Sequence, residues 1–437
     1  MKTKDERWLT NSLNFFRKLI PKPLFNFFWK PYHFFLAVTA GIRFGFPAKK
    51  LTVIIVTGTK GKTTTTEMIH RLLKASGLRV ALMNGIHFII RDEIVPNKFN
   101  MSVPGRWFIQ RFLREAKNKG CTHAVLEMTS ESTVVYRHFF TYPDTLVVTN
   151  IAKEHIEVHG SFSNYLQAKL RLRDSLEKSF KPNRHIVLNE DEPLLRVFHP
   201  ARDTSIIVDM VSPKSVKPNY TRKGVEFSFK GTKFFLPLFG RGHFENALFA
   251  LTAAYNYGVH SELAKEVVKK MDCIRGRMEK VSALPVPFDV YIDYAHTKES
   301  MEQLFQAFPK KKLIAVFGMT GGGRDKWKRR ICGELADKYC HFTFLTEDDP
   351  YEEPVEDIMN DIDEGIKNKK KRAMIANREK AIHEAVKMAF DTPRAAVLII
   401  GYGSQSYCVR NNVKIPCNDK EITRTAVFKI KKARDKK

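Results

Sequence analysis

Seven consecutive residues, Gly58, Thr59, Lys60, Gly61, Lys62, Thr63 and Thr64, have the types that hold a phosphate group. Glycines let backbone N–H groups turn toward phosphate oxygens. A lysine can reach the β- and γ-phosphates, and a threonine hydroxyl can sit on Mg²⁺. The usual G-x-x-x-x-G-K-T spacing would want glycine at 56, where the chain has Val56, so this loop is a shorter variant. What surrounds it matters more. The apolar, β-branched run from Leu51 to Thr57 predicts a buried parallel strand. Residues 65–75 put Met68, Ile69, Leu72 and Leu73 on one face, which predicts a helix. Strand, glycine turn, Lys-Thr and helix is the order a nucleotide site needs. The plainer reading is a glycine turn joining strand to helix.

The string Thr57 to Thr64 resembles the TGTNGKTT loop of the Mur ligases, the ATP-dependent enzymes that build the peptide of bacterial peptidoglycan. Other strings follow in the family's order. Leu126-Glu127-Met128-Thr129-Ser130 is similar to LEVSS. Thr149-Asn150-Ile151, then Glu154-His155 and His159-Gly160, resemble TN…DH…HG. Residues Tyr165 to Lys169 resemble the stretch with the family's modified lysine, and Phe244 to Ala247 part of its FNxxNxLAA helix. Gly276-Arg277-Met278-Glu279 matches GRME, and Asp293-Tyr294-Ala295-His296-Thr297 matches DYAHT. Gly322-Gly323-Arg324-Asp325 with Lys328-Arg329 is similar to GGDRDxxKR. The last three are most like the branch that adds the third peptide residue. The resemblance spans about residues 48–430.

It implies a ligase that phosphorylates a carboxylate with ATP and couples the acyl phosphate to an amine, with ATP and Mg²⁺ required. Lys62 and Arg277 are then expected at the γ-phosphate, where arginine can grip with two N–H groups. Thr63 and Glu127 are expected to ligate a first Mg²⁺; Glu127 ends a predicted strand, where open sheets place ligands. His155 is expected at a second Mg²⁺, with Lys169 carbamoylated; spacing alone would leave Lys169 an exposed helix lysine and His155 an ordinary polar histidine. Asn246 is expected at the adenine, Asp293 at the ribose hydroxyls, and His296 near the nucleotide. Ser102, Arg106 and Ser130 are expected on the acceptor side, with Asp348, Asp349 and Tyr351 on the amine side. Tyr351 stands where the family has the arginine that reads a diaminopimelate carboxylate, and residues 401–405 lack both charges of the family's GKGHE turn. Asp348 and Asp349 would favour an amine with extra positive charge.

These residues need two α/β units behind them. Residues 48–272 read as a central ATP-binding domain with a mainly parallel sheet. Residues 273–437 read as a Rossmann-like domain, with strands at 312–317, 341–345 and 396–400 and helices at 325–338 and 378–390. The fold class expected is α/β, with the site in the cleft between domains. Fewer than 50 residues precede the nucleotide strand, too few for the domain that holds UDP in the third-residue branch.

The whole chain fits that frame. It has 437 residues and a net charge of +27 from 74 Lys+Arg and 47 Asp+Glu. Hydrophobic residues at 43% exclude wholesale disorder. The positive excess asks for an anionic partner without choosing one, and no nucleic-acid motif is present, so nucleic acid is not expected. Runs such as 310–312, 369–372 and 431–437 read as solvated faces or frayed ends. The six cysteines are spread out with no CxxC pair, which indicates reduced thiols. Residues 12–46 interleave Phe, Leu and Trp with lysine and arginine. Their longest uncharged run is too short for a spanning helix. Two readings stand for it: a helical cap on the next domain, or a helix lying on an anionic membrane surface. The resemblance implies a cytoplasmic enzyme of cell-wall biogenesis, hence of cell shape and division, and the membrane reading adds a peripheral place at the inner face. Alternatives in function are a folylpolyglutamate or poly-γ-glutamate synthetase, or a nucleotide-binding protein without catalysis.

Overall fold

The computed structural model describes residues 22–99, 101–154, 156–201, 205–221, 223–323 and 326–435. His155, Arg324, Asp325 and the first ten residues of the 12–46 segment lie outside them.

Two mainly parallel sheets organise the molecule. The strands of the first are β1 (Thr52–Thr57), β2 (Val80–Met83), β3 (His87–Ile90), β4 (Glu93–Pro96), β5 (His123–Glu127), β6 (Thr145–Val148), β7 (His185–Asn189) and β8 (Ile207–Val211). Their order is β4-β3-β2-β5-β1-β6-β7-β8. The six strands from β2 to β8 in that order run parallel, while β3 and β4 add an antiparallel edge. Strand β1 is central, and Val53 to Val56 are completely buried between two helical layers. That double burial is why it reads as an unbroken apolar run; each such side chain contributes roughly 1.5–3 kcal/mol.

A small antiparallel sheet, β9 (Asn219–Tyr220), β10 (Val225–Phe229) and β11 (Thr232–Leu236), follows. The second large sheet has the order β12-β13-β17-β14-β15-β16, made of β12 (Glu279–Lys280), β13 (Asp289–Asp293), β14 (Lys312–Phe317), β15 (Phe342–Leu345), β16 (Arg372–Met374) and β17 (Ala395–Ile400). Only β12 is antiparallel. A hairpin, β18 (Tyr407–Arg410) and β19 (Val413–Pro416), closes this half.

The helices that position the site are α1 (Lys22–Phe44), α2 (Lys62–Ala75), α3 (Arg106–Asn118), α4 (Phe162–Glu177), α5 (Arg241–Tyr255), α6 (Lys298–Gln306), α7 (Trp327–Tyr339) and α8 (Arg378–Phe390). The α/β expectation holds. The periodic elements lie within a residue or two of their expected bounds, except that α2 begins three residues earlier, at Lys62. The antiparallel pieces β3, β4, β9 to β11 and β18–β19 add to the expected parallel strands and are short, two to five residues each. The run from Lys431 is helical to Arg434, with residues 432–435 exposed as a solvated face, while Val427 and Ile430 before it are buried. Lys369 and Arg372, read as solvated, both pair with Asp363. All six cysteines are free thiols, yet Cys408 and Cys417 are not far apart: the hairpin brings their thiols within hydrogen-bond reach.

Candidate active site

Three neighbouring strands, β5, β1 and β6, end at one place, and each delivers part of the site there. Glu127 closes β5, the glycine loop follows β1, and Thr149 and Asn150 follow β6. Loops at the carboxyl ends of adjacent parallel strands converge, which is why open α/β sheets bind ligands there.

The loop is held from outside. Asn150 Oδ1 accepts from the Lys60 N–H (2.9 Å), and Thr149 Oγ1 donates to the Lys60 carbonyl (2.6 Å). Thr59 Oγ1 meets the Tyr165 hydroxyl at 2.6 Å and accepts from the Ala152 N–H at 2.9 Å. Gly61 has φ +78°, and a Cβ there would lie 2.2 Å from Asn246 Oδ1. Glycine is therefore required for both conformation and space. Gly61 offers α2 no side-chain cap, so the first-turn N–H groups keep their capacity for an anion.

The charged groups gather around this loop. Lys62 Nζ folds back to donate to the carbonyls of Gly58 (3.1 Å) and Thr59 (2.9 Å). Burial lowers its pKa, Glu127 raises it and Arg277 lowers it. Thr63 Oγ1 donates to Glu127 Oε2 (2.8 Å), and the Gly85 N–H donates to the same oxygen (3.0 Å). A Cβ on Gly85 would lie 3.2 Å from Ser102 Oγ, 3.5 Å from Thr63 Oγ1 and 3.7 Å from Glu127 Oε2, so these three side chains border one point. Lys169, on α4, is 1% exposed and donates to the Gly58 carbonyl at 2.7 Å. Desolvation, then Lys62, push its pKa well below that of an ordinary lysine.

The second half reaches in through Arg277. Its Nη2 donates to Thr63 Oγ1 at 3.4 Å, and its guanidinium lies 4.6 Å over the Tyr294 ring. The turn that delivers it needs Gly276, where φ is +67° and a Cβ would sit 2.2 Å from the Ser404 nitrogen. Two ion pairs clasp the halves: Lys60 with Glu299 at 2.6 Å, and buried Lys328 with Glu154.

Thus Lys62, Thr63, Glu127, Lys169, Arg277, Asn246 and Ser102 come together, as do Gly58 to Thr64. Ser130 is buried and hydrogen-bonded to His159 Nε2 at 3.0 Å. The other expected residues have these contacts within the chain. Asp293 ends β13, and its oxygens accept from the backbone N–H groups of Met278 and Ala295, each at 2.6 Å. A strand-end carboxylate beside a tight turn satisfies that turn first. His296 is held by the Tyr294 carbonyl, and burial drops its pKa to about 4. Arg106 faces α1, donating to the Val135 carbonyl and meeting His33 Nδ1 at 2.6 Å. Asp348 is buried with its pKa pushed up to about 8 by desolvation, against Arg378. Asp349 accepts from the Val409 N–H (2.7 Å), and Tyr351 pairs along its backbone with Arg410. Asp349 and Tyr351 thereby brace the hairpin. Asp349 and Tyr351 have φ of +43° and +55°, strain of the kind found where a site fixes its backbone.

Tyr294, Glu299 and the Glu154–Lys328 pair are site residues without an expected role. Thr149 and Asn150 had a signal, since they end a strand beside β1. Glu299 had none: its partner lies 239 residues away.

The donor set suits a small hard cation. A hydroxyl and a carboxylate oxygen adjoin, and phosphate and water would complete the shell. Among the described residues, no group of three or more His, Cys, Asp or Glu could hold a metal alone.

Residues 56–254 match the family described as Mur ligase middle domain, and residues 276–403 match Mur ligase, glutamate ligase domain. A UDP-N-acetylmuramoyl-L-alanyl-D-glutamate–2,6-diaminopimelate ligase of Clostridium acetobutylicum is 31% identical over 390 residues, 86% of this chain and 78% of that protein. A UDP-N-acetylmuramyl-tripeptide synthetase of a Roseiflexus species is 31% identical, covering 90% of this chain and 82% of its own. A solved diaminopimelate ligase of the same kind aligns with a TM-score of 0.58 at 27% identity, over 87% of this chain and 78% of that one. Folylpolyglutamate synthase of Mycobacterium tuberculosis aligns at 0.68 with 16% identity, over 84% and 91%, which is a likeness of fold.

Proposed function

The chain belongs to the Mur ligase family, and from that premise we propose that it is an ATP-dependent, ADP-forming ligase that adds an amino acid to a muramyl-peptide precursor of peptidoglycan. The names of its relatives support addition of the third peptide residue. The observation that carries the reading is Arg277 of one half 3.4 Å from Thr63 of the other, beside Glu127.

In this reading an acceptor carboxylate oxygen attacks the γ-phosphorus of ATP, and ADP leaves. The amine attacks the resulting acyl phosphate at carbon. Phosphate departs with the bonding pair, and the amine proton is released to it. Lys62 and Arg277 neutralise the transferring group, which needs charge and alignment more than covalent help. The N–H groups opening α2 hold the other phosphates, with Thr59, Lys60, Gly61 and Thr64 shaping the cradle. Thr63 and Glu127 would hold a Mg²⁺, which supplies charge neutralisation to the phosphates. Asn246, packed against Gly61, is assigned to the base side. Ser102 and Ser130 are assigned to the acceptor side.

Lys169 is assigned as a carbamoylated residue. Its lowered pKa supports this, because only the neutral amine takes up CO₂. The carbamate would replace a cation beside Lys62 with an anion. α1 is assigned a peripheral contact with an anionic membrane surface.

The test is mass spectrometry of the product after incubation with ATP, Mg²⁺, a UDP-muramoyl dipeptide and mixed amino acids. A gain of one amino-acid residue with one ADP released is expected. Turnover that needs folate and glutamate instead would overturn it.

A further inference from the structure

Helix α1 is amphipathic in an inverted sense. Its inner face, His33, Ala37, Ala40 and Gly41, is buried against α3 and the 136–140 turn. Small residues let the helix lie close: a Cβ on Gly41 would be 3.0 Å from the Phe140 ring. The outer face, at helical spacing, carries Pro31, Phe35 (63% exposed) and Ile42 (65% exposed). Trp107 of α3, 41% exposed, packs its ring 5.8 Å from Phe44, on the side of α1 that faces α3. Bulky apolar groups on a solvent face cost free energy unless something covers them.

Charge says what covers them. Lys30 and Arg43 on α1, Lys49 and Lys50 just after it, and Arg114 at its Phe44 end are exposed. Between Glu6 and Glu67 the chain has no Asp or Glu at all. Two copies meeting here would bring the same cations together. An anionic lipid surface takes aromatic groups into its interface and pairs the cations with its head groups. Among the described residues, no helix is long and apolar enough to cross a membrane, so the helix would lie on the bilayer.

The same helix touches the acceptor side. His33 holds Arg106, the first residue of α3, and Ser102 four residues earlier borders the Thr63–Glu127 point. We propose that α1 docks the enzyme on an anionic bilayer, outer face inward, and so holds the mouth of the acceptor loop at the lipid surface, where a muramyl peptide carried on a lipid anchor is the acceptor. The docking stands on α1 alone; the choice of acceptor rests on the ligase reading.

The test is co-sedimentation of the full chain with phosphatidylglycerol-containing vesicles and with phosphatidylcholine vesicles. Binding to the first only is expected. F35S/I42S and K30E/R43E variants should each bind about tenfold more weakly, with unchanged circular dichroism and unchanged ATP turnover on a soluble acceptor. With a vesicle-borne muramyl peptide, F35S/I42S should raise KM and leave kcat alone. Equal binding to both vesicle types, no binding, or variants that bind like wild type would overturn the docking. A wild-type dimer that F35S/I42S dissolves would assign the face to a second copy and overturn it too. Docking that holds without any ligation would leave the bilayer contact standing and sink the ligase reading.

Discussion

On the nucleotide wall of the cleft, Lys62 and Lys169 donate only to backbone carbonyls and threonine oxygens. On the opposite wall, buried cations lie against carboxylates. Arg378 grips both oxygens of Asp419 at 2.8 Å, Arg329 holds Glu353 and Asp361, and half-exposed Arg410 pairs with buried Glu347. The difference separates two uses of charge. A buried cation without a carboxylate of its own is costly to the folded chain and useful to an incoming anion. A cation already matched adds no attraction for substrate but fixes geometry. The first wall is built to receive a polyphosphate. The second is built to hold the turns that carry Arg277 and the hairpin.

The sharpest way to break this contrast is to remove one matched cation. Arg378→Ala leaves Asp419 buried alone and should lower unfolding stability by about 3–5 kcal/mol in urea titration. An unaltered midpoint would mean the second wall is not structural. Lys62→Met should do the reverse: kcat falls about 10²–10³-fold while Tm does not drop. Lys169→Met combines both effects. It should abolish dependence of turnover on added bicarbonate, and stabilise the fold at pH 7 by roughly 1–2 kcal/mol because a buried cationic site is replaced by an apolar one.

The sign for Lys169 follows from linkage. Its folded pKa is lowered, so the unfolded chain binds the proton more readily between that value and the ordinary lysine range. Wild-type stability should therefore rise with pH through this window relative to Lys169→Met. The smallest effect concerns Asp348. With its carboxyl pushed up to about 8, the folded state holds a proton that the unfolded chain releases near 3.8. Stability from this group is full below about pH 4 and is lost as pH rises toward 8. Asp348→Asn should flatten that dependence in thermal melts at pH 5 and pH 8.

Much of the first wall was legible in the order of residues. A β-branched run, a glycine turn and an amphipathic helix are each set by neighbours in sequence, so β1, the loop and α2 could be read directly. Glu127 was legible because strand ends are. The second wall was read less well. Asp293, Asp348 and Asp349 have the right type for substrate contact, but type does not say whether an oxygen is already taken. Backbone N–H groups of Met278 and Ala295 bond to Asp293 and that of Val409 to Asp349, while Asp348 is buried against Arg378.

The sequence by itself determined the α/β plan, the phosphate loop and the kind of chemistry, because period and motif spacing are local quantities. Only the tertiary structure decided which charges stay available. Availability depends on partners such as Glu154 for Lys328, 174 residues apart, or His33 for Arg106, 73 apart. Burial then multiplies the consequence, since in a medium of low dielectric a matched charge goes quiet and an unmatched one becomes a binding site.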